Sequence, residues 1–297
     1  MRAMTATRPL TRPPGTLGLS VRAALPLLPG ASRLPFVAGA GDEVPAVQLT
    51  LEHLTFSPER LAGYAHLCGF PLGNELPGTA PHLLAFPLHL ALMADGRFPF
   101  PPVGLVHVRN RITASRPIEA TEPLDVAVRA TPAEPHPRGQ VFSLVTEVSA
   151  DGERVWEEHS TMLHRDGSSN GGGSGAGPLA STTELTDCAN WQLPEDLGRR
   201  YAAVSGDRNP IHLHAYTAKL FGFPRAIAHG MWTKARCLAA LAPTLPASYS
   251  VEVQFRKPIL LPGRVSFAQA TSGGRTDFAV RGVRDPSRIH VEGSVLR

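Results

Sequence analysis

The chain repeats itself once. Tyr64-Ala-His-Leu-Cys68-Gly69 is echoed by Tyr201-Ala-Ala-Val-Ser205-Gly206, a period of about 140 residues; repeats that long indicate duplicated domains rather than a solenoid. Each copy precedes a helix-compatible apolar stretch, residues 83–93 and 231–241. Next comes an alternating strand leading to proline, 106–112 before Pro117 and 251–257 before Pro258. Strand-like segments at 141–148 and 155–163 close the first half around a turn at Asp151-Gly152. Those at 265–270, 278–283 and 289–296 close the second, with a turn at Gly273-Gly274. A helix followed by antiparallel strands, repeated once, predicts an α+β fold with each helix packed on a sheet.

The Gly/Ser-rich run beginning at Asp166 has linker composition. It divides the chain into a leader at 1–40, a first domain at 41–165, a linker at 166–180 and a second domain at 181–297. The leader is basic but interrupted by Pro13, Pro14 and Arg22. Too broken for a signal peptide, it reads as a flexible leader or a packing arm.

A hydrophobic fraction of 42% with 18% charged residues excludes a disordered chain. The formal charge of +4 is spread over scattered arginines and lysines. That argues against nucleic-acid binding and for a basic surface that favours an anionic ligand. Cys68, Cys188 and Cys237 are far apart and form no C-x-x-C, which points to a reducing, cytoplasmic compartment. No apolar run reaches the roughly 20 residues of a membrane span.

The chemistry concentrates in Tyr201-Ala-Ala-Val-Ser205-Gly-Asp207-Arg-Asn209-Pro-Ile-His212, followed by Ile227-Ala-His229-Gly230-Met231. Asn209-Pro210 starts a turn, and Pro210 can open a short helix through Ala218. Asp207 then stands in a loop and His212 in the first helical turn, where both can face one small cavity. An imidazole exchanges protons near neutral pH, and a carboxylate can accept a proton or hold water. The plainer alternative makes Asp207 a helix cap and His212 a core or surface residue. His229-Gly230 opens the second helix, where the Gly230 N–H can stabilise an oxygen that gains charge; its alternative role is tight helix–sheet packing. Met231, Trp232, Leu238 and Leu241 read as core-facing. His212-x-His214 lacks a third ligand at metal-site spacing, so no metal is expected. Ser205 lacks a nucleophile-elbow context and reads as a residue that orients the loop. Aligned without gaps, Phe70 stands at the Asp207 position and Glu75 at the His212 position. The first half therefore reads as structural or cleft-shaping.

These motifs, with Ala218-Lys-Leu-Phe-Gly222-Phe223 between them, closely resemble the MaoC-like, (R)-specific enoyl-CoA hydratase and 3-hydroxyacyl-thioester dehydratase family. The resemblance implies a double hot-dog fold, two central helices each wrapped by an antiparallel sheet, with a degenerate first repeat. It implies reversible hydration of trans-2-enoyl thioesters carried on coenzyme A or acyl carrier protein, in fatty-acid metabolism. Asp207 and His212 would be catalytic. Ser205 and Asn209 would support the loop, and Gly230 would polarise the thioester carbonyl. His229, Met231, Arg256 and Lys257 would contact substrate, the last two through the carrier. The acyl chain would run in a tunnel widened where central-helix contacts of the first half relax. No cofactor is implied. The oligomer would be a monomer or homodimer, with fatty-acid synthesis enzymes as further partners. A hot-dog thioesterase and a non-catalytic acyl-binding subunit are the competing functions.

Overall fold

In a computed structural model, the described residues are 5–25, 37–39, 41–165 and 184–297. The expected linker at 166–180 lies outside them. The first half runs β2 (Val47–Leu54), α2 (Pro58–Cys68), α3 (Pro81–Met93), β3 (Val106–Ala114), β4 (Leu124–Ala130), a short β5 (Glu134–His136), β6 (Gly139–Ala150) and β7 (Glu153–Arg165). The second half runs β8 (Thr186–Leu193), α4 (Leu197–Ser205), α5 (Pro210–Leu213), α6 (Ala215–Lys219), α7 (Gly230–Leu241), β9 (Tyr249–Phe255), β10 (Gly263–Ser272), β11 (Arg275–Gly282) and β12 (Ile289–Leu296).

All strands form one sheet. After an edge strand β1 (Ala6–Pro9), the order is β2-β4-β6-β7-β3, then β9-β12-β11-β10-β8. The second series mirrors the first, with β3 and β9 at the centre. These two central strands pair antiparallel, with Asn110 opposite Val253 and Ile112 opposite Val251. The sequence repeat is thus a pseudo-twofold repeat of sheet and helix, the α+β double hot-dog arrangement.

Each half wraps its sheet around one apolar helix. α3 buries eleven of its 13 residues and α7 nine of 12, as expected of helices without a continuous polar face. α3 is a full central helix whose Leu83 and Leu88 are almost wholly buried.

The described part of the leader is a docked arm rather than a free one. β1 pairs parallel with β2, α1 (Thr16–Ala24) lies along α3, and Ala23 and Val37 are buried. The single short helix expected from Pro210 to Ala218 is interrupted. His214 adopts an extended conformation, φ −145° and ψ 149°, and divides it into α5 and α6. Among the described residues, no helix is long and apolar enough to cross a membrane.

Candidate active site

The segment after α4 is shaped by a series of local hydrogen bonds. Gly206 takes the left-handed conformation, φ 85°, and closes α4. The Asp207 N–H then donates to Ser205 Oγ at 3.1 Å, and the Asn209 N–H donates to Asp207 Oδ1 at 3.1 Å. Asn209 in turn caps α5 by accepting from the Ile211 N–H at 3.4 Å. Ser205 and Asn209 therefore hold the turn that presents Asp207, whose side chain keeps 29% of its exposure.

His212 is buried within the single turn of α5. Its Nδ1–H donates to the Ile227 carbonyl at 2.7 Å, which leaves Nε2 as the bare acceptor. The Ile227 carbonyl is itself held. Ile227 N–H donates to Ile211 O at 3.1 Å, Ala228 N–H to Ile259 O at 2.9 Å, and Leu261 N–H to Ala226 O at 2.8 Å.

His229, at the N-cap of α7, stacks on His212 with ring centroids 3.7 Å apart and planes 26° apart. Its Nε2–H donates to the Asp207 carbonyl at 3.1 Å, and the same nitrogen is 3.7 Å from Asp207 Oδ2. Tyr201 also packs against His229, with ring centroids 4.8 Å apart. Buried His229 Nδ1 and Tyr201 Oη have no hydrogen-bond partner among the described residues.

Burial opposes charge on Asp207, but His229, His212 and the Asn209 N–H outweigh it, and the carboxyl pKa falls below its usual value. Burial also lowers the His212 pKa, against the pull of Asp207 and Ile227 O. It pushes His229 down to about 3, with His212 adding to the depression and Asp207 opposing it. At neutral pH the site is an ionised carboxylate beside two neutral imidazoles. A water between Asp207 and His212 Nε2 would meet two acceptors and could give up a proton to either.

The donor atoms of Asp207, His212 and His229 lie within 4.8 Å of one another. Each imidazole uses one ring nitrogen on a main-chain carbonyl, an arrangement that also orients histidine ligands in metal sites. A carboxylate and a neutral imidazole this close can also exchange protons with a water held between them.

Gly230 begins α7 and its amide has no partner within the helix. It is also a packing glycine, because a Cβ there would sit 3.0 Å from the Phe255 ring. Both readings of this residue thus have a physical basis. Met231 is buried in the core. Arg256 and Lys257 belong to the segment between β9 and β10. They follow β9 beyond Phe255, where Arg256 ion-pairs with Glu292 through Nε at 2.7 Å, and Lys257 is exposed. Phe70 and exposed Glu75 line a cavity of about 730 Å³ with Pro81, Ala114 and Tyr249. This cavity does not include Asp207, His212 or His229.

The first half contains a polar cluster that the ungapped alignment does not reveal. Buried His82 Nδ1 meets Glu158 Oε2 at 2.8 Å. Asn110 Nδ2 donates to Glu158 Oε1 at 2.7 Å, and Asn110 Oδ1 accepts from the buried ammonium of Lys234 on α7. Burial raises the Glu158 pKa, but His82, His89 and Asn110 more than reverse this and hold it well below the carboxylate range. Burial lowers Lys234 to about 7, against the attraction of Glu158 and Glu252.

Comparison with known proteins points to one family. Residues 178–288 match the family model described as a MaoC like domain. The chain is 37% identical to 3-hydroxyacyl-thioester dehydratase X of Mycobacterium tuberculosis over 272 residues, 92% of this chain and 94% of the relative. It belongs to the MaoC-like dehydratase family. It is also 30% identical to 3-hydroxyacyl-thioester dehydratase Y of the same organism, over 60% of this chain and 66% of the relative. Among solved structures, HtdX of M. tuberculosis superposes with a TM-score of 0.74 at 35% identity, covering 84% of this chain and 98% of that one. A further M. tuberculosis protein with a double hot-dog fold matches at TM-score 0.53 and 13% identity, covering 83% of this chain and 95% of that one, a likeness of fold alone.

Proposed function

We propose that the protein is a hydro-lyase that interconverts trans-2-enoyl thioesters and (R)-3-hydroxyacyl thioesters of fatty-acid metabolism. The observation that carries this reading is the juxtaposition of an ionised Asp207 with a neutral His212 whose tautomer is set by Ile227 O. In hydration, Asp207 and the bare His212 Nε2 hold one water. The water oxygen bonds to the β-carbon as its proton passes to Nε2. The negative charge that moves onto the thioester oxygen is met by the Gly230 N–H at the start of α7. The imidazolium, stabilised by Asp207, then returns the proton to the α-carbon. One proton leaves water and one reaches carbon, so the enzyme ends as it began. Dehydration is the reverse.

Ser205 and Asn209 keep Asp207 in place, and His229 walls the site by stacking on His212. The carrier is coenzyme A or acyl carrier protein, with Arg256 and Lys257 on its approach. The setting is cytoplasmic, consistent with free Cys68, Cys188 and Cys237.

The test is incubation with a trans-2-enoyl-CoA. Loss of the conjugated-thioester absorbance without thiol release is expected. Thiol release would instead favour a thioesterase.

A further inference from the structure

Pro87 stands inside α3. Lacking an N–H, it cannot bond the carbonyl four residues earlier, and that carbonyl belongs to Leu83. The vacated acceptor is occupied by Arg60 of α2, whose Nη2 donates to Leu83 O at 3.2 Å. The same guanidinium reaches into the second half. Nε donates to Val204 O at 2.8 Å, and Nη2 lies 3.5 Å from Ser205 O.

Val204 and Ser205 end α4, where carbonyls lack helical partners and carry partial negative charge. They are also the residues directly before the Gly206-Asp207 turn, whose first bond is Asp207 N–H to Ser205 Oγ. Helices α2 and α4 are in close contact at this point, since a Cβ on Gly63 would stand 3.4 Å from a Val204 methyl. The far end of α2 is tied to the second half as well. Trp232 Nε1 donates to Leu67 O and Arg236 Nη1 to Cys68 O, both at 3.2 Å. The first half therefore grips both α4 and α7 around the Asp207 site.

Resting on the hydratase reading above, we infer that Arg60 is a positioning residue. It links the carbonyl freed by Pro87 to the end of α4 and so sets where Asp207 stands relative to His212. Its planar fork makes this link; a lysine ammonium, a point donor on a flexible stem, cannot hold the two helices in the same geometry. Arg60 touches neither Asp207 nor His212 through its hydrogen bonds, so its effect passes through the loop. This gives the first half a part in turnover without a catalytic group of its own.

The test compares Arg60→Met and Arg60→Lys with wild type in the full chain. The readouts are kcat and KM for hydration of a trans-2-enoyl-CoA, thermal midpoint, and titration of the His212 Cε1–H resonance. Arg60→Met is expected to lose about 10- to 100-fold in kcat, with KM little changed and the His212 titration shifted. Arg60→Lys is expected to keep the thermal midpoint while losing several-fold in kcat. Methylguanidine added to Arg60→Ala is expected to recover part of the lost kcat. Near-wild-type kcat in both Arg60→Met and Arg60→Lys would overturn the inference, as would a loss that only tracks the unfolded fraction. If Arg60→Met does not fold, Arg60→Lys decides. A wild-type protein inert toward every enoyl thioester defeats the hydratase reading alone. A His212 resonance that titrates in the Arg60 variants as in wild type defeats the Arg60 inference alone.

Discussion

Gly198 on α4 packs directly against the carbonyl of His212. A Cβ built on Gly198 would stand 1.8 Å from that oxygen, so only glycine allows α4 and α5 to approach this closely. Arg199 Nη1 reinforces the contact by donating to Leu213 O at 3.0 Å.

Gly198→Ala is therefore expected to push α5 away from α4 and displace His212 by a fraction of an ångström to an ångström. Misplacement on that scale costs up to about 10²-fold in rate. The variant should fold, lose most of its kcat and show a shifted His212 resonance. Unchanged kcat would mean that α5 can move without consequence for turnover.

Gly230→Ala separates the two roles of that glycine. The added Cβ meets the Phe255 ring at 3.0 Å, so the ring must give by a few tenths of an ångström. The amide remains. If the N–H is the oxyanion donor, a small shift of α7 should lower kcat by about 10-fold or more while stability falls by only about 1–2 kcal/mol. Equal, modest changes in kcat and stability would reduce Gly230 to a packing residue.

Much of this architecture is legible in the sequence, because its signals are local. The apolar runs at 83–93 and 231–241 became α3 and α7, and the closing strands fell where alternation and turns indicated. Asp207, Asn209 and His212 belong to one short segment and needed only its turn chemistry. β4 alternates buried and part-buried residues in Leu-Asp-Val-Ala-Val-Arg-Ala, a pattern that could have marked it. β8 carries Thr, Asp, Asn and Gln on an edge strand and gives little such signal. The break at His214 is a matter of one backbone conformation. The long-range pairs had no signal at all: His82 with Glu158 and Arg60 with Val204 are brought together only by the fold.

The buried cluster around Glu158 makes a stability prediction. Glu158→Leu removes one of the two acceptors of Asn110 Nδ2, the other being Ser160 Oγ, and the partner of His82, leaving buried polar groups short of partners beside Lys234. Losses of about 3–5 kcal/mol accompany such deletions, measurable as a drop in the denaturant midpoint. A change below about 0.5 kcal/mol, the size of an ordinary surface substitution, would show that the cluster contributes nothing.

Acid should destabilise the fold for a related reason. His229 and His89 are buried, and burial foremost lowers each to about 3. Unfolded histidine titrates near 6.5. Between these values the unfolded chain binds more protons than the native one, so stability falls as pH drops. Each contributes about 1.4 kcal/mol per pH unit below roughly 6.5. Denaturant midpoints should fall steadily from pH 6.5 to pH 4.5, and His89→Gln should flatten the slope. A flat profile over that window would contradict neutral burial of these imidazoles.

The central claim is that Asp207 and His212 together handle one water. It is tested most directly by hydration kinetics of wild type, Asp207→Asn and His212→Ala on one trans-2-enoyl-CoA, followed by loss of the conjugated absorbance. Acid–base groups of this kind are each worth about 10²–10⁴ in rate. Both single variants should lose at least about 10²-fold while remaining folded. Asp207→Asn should stay close to the wild-type thermal midpoint and His212→Ala fall somewhat below it, because Ile227 O loses its donor. The double variant should be little worse in rate than either. Full turnover in either single variant would contradict the mechanism.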